Sequence, residues 1–306
     1  MREFFLSGFT DEAADTLEGQ IKVLKSLGWG YFEARRINGY NIHDLDESAF
    51  EKVCTLLEES GIKIDCFGSS IANHDTPVDC NFDATMSVVN RAIARMKRLQ
   101  VHYIRIMSYG IFYDDKRRPL LDQKEEKRFD QLRKICGAFL DAGITPLHEN
   151  AYNYGSMSWE HTLKLLHEVP GLRLVFDTGD AGLMPDYRKP FPYPNQDAWE
   201  LWGHTKGYVE HFHIKDGYRD PDTSARTYLY PGEGDCEVIK ILSDSLAIGY
   251  SGHYSIEPAM TSGVYNSAEK SSAEYRSSNF VEYGKITEEI FRGFGCTVKD
   301  GVIYIE

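Results

Sequence analysis

The 306-residue chain has no run of eighteen apolar residues, so nothing in it reads as a membrane-spanning helix. Its opening, MREFFLSGFTDE, turns polar too soon for a secretory signal and reads instead as a first β-strand. A cytoplasmic protein is the expectation. Positive charge is in deficit: 34 Lys and Arg stand against 47 Asp and Glu, a net charge of −13. That is the reverse of the basic footprint a nucleic-acid binder needs. Six cysteines (Cys54, Cys66, Cys80, Cys136, Cys236 and Cys296) are scattered without CxxC spacing. They read as reduced thiols rather than as a zinc site. Low-complexity segments and linkers are also missing, which leaves a single domain over residues 1–306. No GxGxxG follows the first strand, which weighs against a dinucleotide-binding doubly wound sheet.

What is present is regular alternation. Strand-like runs fall at Phe4–Gly8, Gly30–Ala34, Lys63–Phe67, Tyr103–Met107, Thr145–Glu149, Arg173–Asp177, Val209–Ile214 and Gly252–Glu257. Helical patterns separate them. The first is expected from Asp15, with Glu18 completing a capping box and Gly28 closing the helix. Others are expected at Asp46–Ser60, Ala84–Leu99 (burying Val88, Ala92 and Met96), Lys124–Ala142, Ser158–Glu168, Asp197–Thr205, Cys236–Ile248 and Asn279–Phe291. A last strand, Val302–Ile305, forms a C-terminal extension. Eight β-then-α units in about 300 residues predict an α/β fold, a closed (β/α)8 TIM barrel. The loops Ser69–Asn81, Ser108–Asp122, Thr178–Gln196, Lys215–Gly234 and Pro258–Ser278 are long and would rise from the barrel's C-terminal face. They carry many tyrosines and phenylalanines, read either as substrate walls or as packing between loops and subunits.

Four of the strands end in a potential metal ligand: Glu149, Asp177, His213 and Glu257. In a barrel these ends converge. Three carboxylates and an imidazole suit Mn²⁺, Mg²⁺, Co²⁺ or Zn²⁺. Strand alternation separates the histidines: with Glu149 pointing inward, His148 points to the helices, and His211 shares the inward parity of His213 one layer deeper. His211 is expected to support the site, and His253 to be structural. His148 is expected to be structural as well, though its place beside Glu149 keeps it a candidate base.

The segments His148–Asn150, Phe176–Asp180, His211–Asp216, Pro231–Asp235 and Ile256–Pro258, with SGFTDE at the start and YFEAR at 31–35, resemble the sugar phosphate isomerase/epimerase superfamily. This is the xylose isomerase-like TIM barrel that also holds ketose 3-epimerases and endonuclease IV. The resemblance covers nearly the whole chain. It implies that Glu149, Asp177, His213 and Glu257 bind a divalent cation, Mn²⁺ first. It also implies that Glu149 and Glu257 remove and return a proton beside a carbonyl through an enediolate. Arg219 matches a substrate-binding arginine of the epimerases; Asp180, Lys215 and Glu33 are further candidates for substrate contact. Asp180 stands where those epimerases carry a histidine.

The first functional expectation is therefore a metal-dependent isomerase or epimerase of a small carbohydrate, neutral or glycosidic rather than phosphorylated. The alternative is a lyase that eliminates the aglycone of a 3-oxo-glycoside, with His148 as base and a small partner subunit. Endonuclease IV chemistry is set aside, because the extra histidines of its three-metal site are missing. A homo-oligomer is expected.

Overall fold

The computed structural model of the protein describes residues 2–261 and 271–305. The part of the expected Pro258–Ser278 loop at 262–270 lies outside the described residues. Eight parallel strands form the barrel wall: β1 (Arg2–Gly8), β2 (Tyr31–Ala34), β3 (Lys63–Gly68), β4 (Tyr103–Ile106), β5 (Thr145–Glu149), β6 (Arg173–Asp177), β7 (Val209–Ile214) and β8 (His253–Ile256). Each from β2 to β7 pairs with the next in sequence, and β8 pairs with both β7 and β1. Their boundaries fall within two residues of those expected from the sequence.

Among the described residues no ladder joins β1 to β2. A C-terminal hairpin, β9 (Thr297–Lys299) and β10 (Val302–Ile305), takes that place. β10 runs antiparallel to the first half of β1, from Arg2 against Ile305 to Phe5 against Val302. The Leu6 N–H donates to the Gly301 carbonyl at 2.8 Å. The C-terminal extension thus seals one edge of the first strand; its β9 half carries too little pattern to be expected from sequence.

Alternation divides the side chains as a barrel requires. Phe4, Leu6, Phe32, Ala34, Phe176, Phe212, Ile214, Tyr254 and Ile256 point outward into one continuous core against the helices. The interior holds a small apolar plug of Cys66, Leu147 and Val175, and is otherwise polar. A register shift makes Asp65 the extra residue of a β-bulge, since Phe32 faces Ile64 while Glu33 faces Cys66. Asp65 then bonds Ser7 and His253 near the barrel's N-terminal end, the His253 contact being 3.1 Å.

The helices are α1 (Leu17–Leu27), α2 (Glu47–Ser60), α3 (Phe82–Leu99), α4 (Glu125–Asp141), α5 (Trp159–Glu168), α6 (Thr178–Leu183), α7 (Ala198–Thr205), α8 (Val238–Ala247) and α9 (Ala273–Gly293). Side-chain caps explain most starts: Asp46, Asn81, Ser158 and Asp197 each accept a first-turn N–H. The cap of α1 is Thr16, accepting from the Gly19 N–H, and not the expected Asp15. In α3 Ala92 and Met96 are buried as expected, but Val89 is fully buried and Val88 only half, because Val89 keeps the roughly 3.6-residue period with Met96 while the spacing from Val88 drifts round the helix. α9 likewise begins before the expected Asn279, capped by Ser272. Two short hairpins were not expected, Arg36–Ile37 with Tyr40–Asn41 and Asp216–Arg219 with Arg226–Leu229. Among the described residues, no helix is long and apolar enough to cross a membrane.

Candidate metal centre and active site

The four strand-end residues meet. One ligand atom each from Glu149, Asp177, His213 and Glu257 lies within 4.8 Å of the others, and all four residues are buried. His213 Nδ1 is 2.7 Å from Glu149 Oε1, 3.3 Å from Glu257 Oε2 and 3.9 Å from Asp177 Oδ2. Asp177 divides its work. Its Oδ1 accepts the Asp180 N–H at 2.8 Å and so caps α6, while the buried Oδ2 is left to face the cluster and the Lys215 ammonium. Three oxygens and one nitrogen at this spacing fit a divalent cation with ligand distances of about 2.0–2.2 Å after slight contraction.

Each glutamate is held from behind by an arginine. Arg105 on β4 donates to Glu149 Oε2 at 2.8 Å and to the Ser69 carbonyl at 3.0 Å. Arg35, just past β2, reaches Glu257 Oε1 at 3.3 Å and forks onto Asp11 at 2.9 and 3.1 Å. The Phe9 ring supports this layer. The Arg35 guanidinium lies 4.1 Å from its centroid, and His213 meets it edge-on at 4.8 Å. The opening SGFTDE segment thus supplies the platform under the site.

Below His213 sits Glu33. Its Oε2 is 2.9 Å from Nε2 of His213 and 2.9 Å from Nε2 of His211. A carboxylate there fixes His213 with Nε2–H donating and Nδ1 turned to the cation position. Glu33 lies beneath the site rather than in the cavity wall, which corrects the expectation that it touches substrate. His211 supports the site through Glu33.

Lys215, reaching in from just beyond β7, places its ammonium 2.7 Å from Asp177 Oδ2 and 3.1 Å from both Asp180 Oδ2 and Glu257 Oε2. Burial raises the Glu149 carboxyl, but Arg105 and His213 outweigh it and hold it at about 2. Burial acts the same way on Glu257, and Lys215, His213 and Arg35 hold it well below the usual carboxylate range. Asp177 goes the other way: burial lifts it well above that range despite Lys215, helped by Asp180, Glu257 and Glu149. His213 is pushed down by burial, yet Glu33 and Glu149 carry it well above an ordinary imidazole. A cation entering this cluster therefore displaces protons.

A cavity of about 270 Å³ opens over the cluster, with Arg35, Arg105, Glu149, Glu257, Asp180, Lys215, Met107, Ala151, Tyr152, Arg226 and Tyr228 in its wall. Two larger hollows, about 810 and 790 Å³, lie against α8 and at the N-terminal end of the strands, and none of the four ligand residues lines either. Asp180 and Lys215 are thus where substrate contact was expected. Arg219 does not line the cavity: its two terminal nitrogens bond Asn195 Oδ1 at 2.9 Å, Ser224 Oγ at 3.0 Å and the Tyr193 carbonyl. Nor does His148, which faces the helices. Its Nε2 lies 2.8 Å from Asn153 Oδ1 and 3.1 Å from Ser108 Oγ, and burial lowers its pKa to about 4.

Sequence reasoning missed the arginine backing. The inward parity of Arg105 with Tyr103 on β4 was the available signal. Of the loop aromatics, Tyr152 and Tyr228 line the cavity. Others pack the loops on one another, as in Tyr113 with Tyr187, Tyr187 with Tyr193, and Phe191 with Tyr193.

The chain matches the family described as xylose isomerase-like TIM barrel over residues 21–277 and belongs to it. No curated protein matches the chain. Among solved structures, it is similar to the IolI protein crystallised with a zinc atom, with 15% identity, TM-score 0.72, and coverage of 95% of this chain and 99% of that one. A D-tagatose 3-epimerase-like protein gives 17% identity, TM-score 0.68 and coverage of 96% and 98%. A xylose isomerase-like barrel from Mycobacterium smegmatis, in complex with magnesium, gives 15% identity, TM-score 0.65 and coverage of 94% and 97%.

Proposed function

We propose that the protein is a divalent-metal-dependent isomerase or epimerase that moves a proton beside the carbonyl of a small carbohydrate. The observation that carries this reading is the pair Glu149 and Glu257. They come from different strand ends, each has one oxygen pinned by its own arginine, and both line one cavity beside the four-ligand cluster. Glu149, Asp177, His213 and Glu257 would hold the cation, with Asp177 Oδ2 turned into the cluster beside the Lys215 ammonium. A bound cation supplies a Lewis acid for the substrate carbonyl and the hydroxyl next to it. Mn²⁺ is the first candidate; the zinc and magnesium seen with similar barrels keep those ions in play.

Both glutamates are ionised at neutral pH, so either can accept the proton. The other glutamate can return a proton from its own side of the cavity after taking one up from solvent, and the first then releases to solvent the proton it abstracted. Lys215 is placed to donate to oxygens that gain charge as the enediolate forms. Burial of the whole cluster strengthens each of these interactions.

The alternative, elimination of an aromatic aglycone from a 3-oxo-glycoside, has less support. The described cavity lies below the range of about 300–1,000 Å³ typical of drug-sized ligands. His148, the base that reading requires, faces away from it. The test is deuterium incorporation from heavy water into a panel of ketoses with Mn²⁺ present. Exchange beside the carbonyl is expected, and its absence across the panel would overturn the proposal.

A further inference from the structure

The cavity wall has an end that the proton-transfer chemistry does not use. There the guanidinium carbon of Arg226, on the hairpin that follows β7, lies 3.8 Å from the centroid of the Tyr152 ring. Both residues line the cavity. Among the described residues, the Arg226 guanidinium makes no hydrogen bond and no ion pair, whereas Arg35, Arg105 and Lys215 in the same wall are all committed to carboxylates. The Tyr152 hydroxyl is buried and also lacks a partner. A buried hydroxyl with no partner is destabilising, so a ligand oxygen that accepts from it binds with that penalty relieved.

We infer that this end of the cavity binds a carboxylate, and that the substrate is a keto acid of the sugar series: a polyhydroxylated chain with its carbonyl at the metal end and a carboxylate at the Arg226 end. The inference rests on the isomerase or epimerase reading above. A guanidinium stacked on an aromatic ring is held flat, and its remaining N–H groups form a planar fork that matches two carboxylate oxygens. The tyrosine adds a neutral donor. One uncommitted cation and one hydroxyl suit a monoanion. Arg36 also lines the cavity, but Asp180 stands in the same wall and offsets it, so the wall suits a monoanion better than a phosphate dianion. A volume of about 270 Å³ accommodates a monosaccharide-sized acid. The neutral or glycosidic substrate expected from the sequence is revised accordingly: counting charges along the loop hid Arg226, because its acidic neighbours in sequence do not pair with it.

The experiment compares a neutral ketose, the corresponding keto-sugar acid and the corresponding phosphate ester with the Mn²⁺-loaded protein, reading proton exchange. The acid is expected to exceed the neutral sugar at least tenfold in kcat/KM. R226Q and Y152F are each expected to shrink that ratio, R226Q by tenfold or more and through KM. Arg226→Lys recovers only part, since charge returns without the fork. Independently of turnover, calorimetry with gluconate and with inorganic phosphate should show gluconate binding that weakens in R226Q. If ketoses exchange without preference for the acid, or if R226Q leaves the ratio unchanged, the carboxylate site falls and the enzyme reading stands. If the phosphate ester or inorganic phosphate is favoured over the carboxylate, the assignment of the anion is overturned. If nothing exchanges but gluconate binding depends on Arg226, the site stands and the proposed activity falls.

Discussion

Oε2 of Glu33 lies 2.9 Å from Nε2 of His213, on the far side of the ring from the nitrogen that faces the metal ligands. The same oxygen is 2.9 Å from His211, and all three residues are buried. One carboxylate therefore sets both the tautomer and the tilt of the only imidazole in the four-ligand cluster. Replacing it with glutamine keeps the shape but takes away the charge. E33Q should lower metal affinity about 10–100-fold, as loss of a ligand's hydrogen-bonded carboxylate commonly does. Titration of the apoprotein with Zn²⁺ or Mn²⁺ by calorimetry reads this directly.

Loading the metal should also stabilise the fold. At a free cation concentration 100 times Kd, the gain is about 2.7 kcal/mol. Thermal melts with and without a chelator measure it. A chelator that leaves both the melting temperature and the exchange activity untouched would argue against a resident cation.

Glu149→Gln and Glu257→Gln each remove a group that can accept a proton while keeping its size. Exchange should fall by about 10²–10⁴-fold in each. Circular dichroism should stay native, since the arginine behind each glutamate can still donate to the amide oxygen.

His148 bears on stability rather than on turnover. It is buried among Ser108 and Asn153, and burial lowers its pKa to about 4, against about 6.5 in an unfolded chain. Between those values the unfolded state binds the extra proton, so stability falls as pH drops from about 6.5 towards 4. This one residue contributes on the order of 3 kcal/mol to that loss. Urea melts at pH 7 and pH 4.5 should show a smaller difference in H148Q than in the parent.

Gly179 is the second residue of α6, and a Cβ built on it would stand 2.5 Å from Cγ of Lys215 and 2.7 Å from its Cβ. The lysine stem lies against bare backbone to bring its ammonium between Asp177 and Asp180. Gly179→Ala should displace it, lowering activity more than tenfold and stability by about 1–3 kcal/mol. Activity assays and thermal melts of this variant check both.

Much of this was legible in the chain itself. The barrel followed from strands whose apolar residues alternate or run together between capped helices, and the ligand set from four acidic or histidine residues at strand ends. Parity placed His211 and His213 inside and His148 outside, as observed. The roles of Arg35, Arg105 and Glu33 were harder to see. They depend on which side chains meet across the barrel, and sequence distance says nothing about that: Glu33 and His213 come together from β2 and β7. The misassignment of Arg219 has the same root. Its side chain turns to Asn195 and Ser224, while Arg226, opposite it in the hairpin, faces the cavity.

The antiparallel β10 has a consequence for biosynthesis. β1 is synthesised before the other barrel strands, yet its two ladder edges wait for β8 and β10. At about 5–20 residues per second that wait lasts on the order of tens of seconds. Throughout it, an apolar strand with two bare edges is open to the wrong neighbours, and the metal centre cannot assemble, because Glu257 arrives just after β8. Nascent chains stalled before residue 250 should therefore be the ones that chaperones hold.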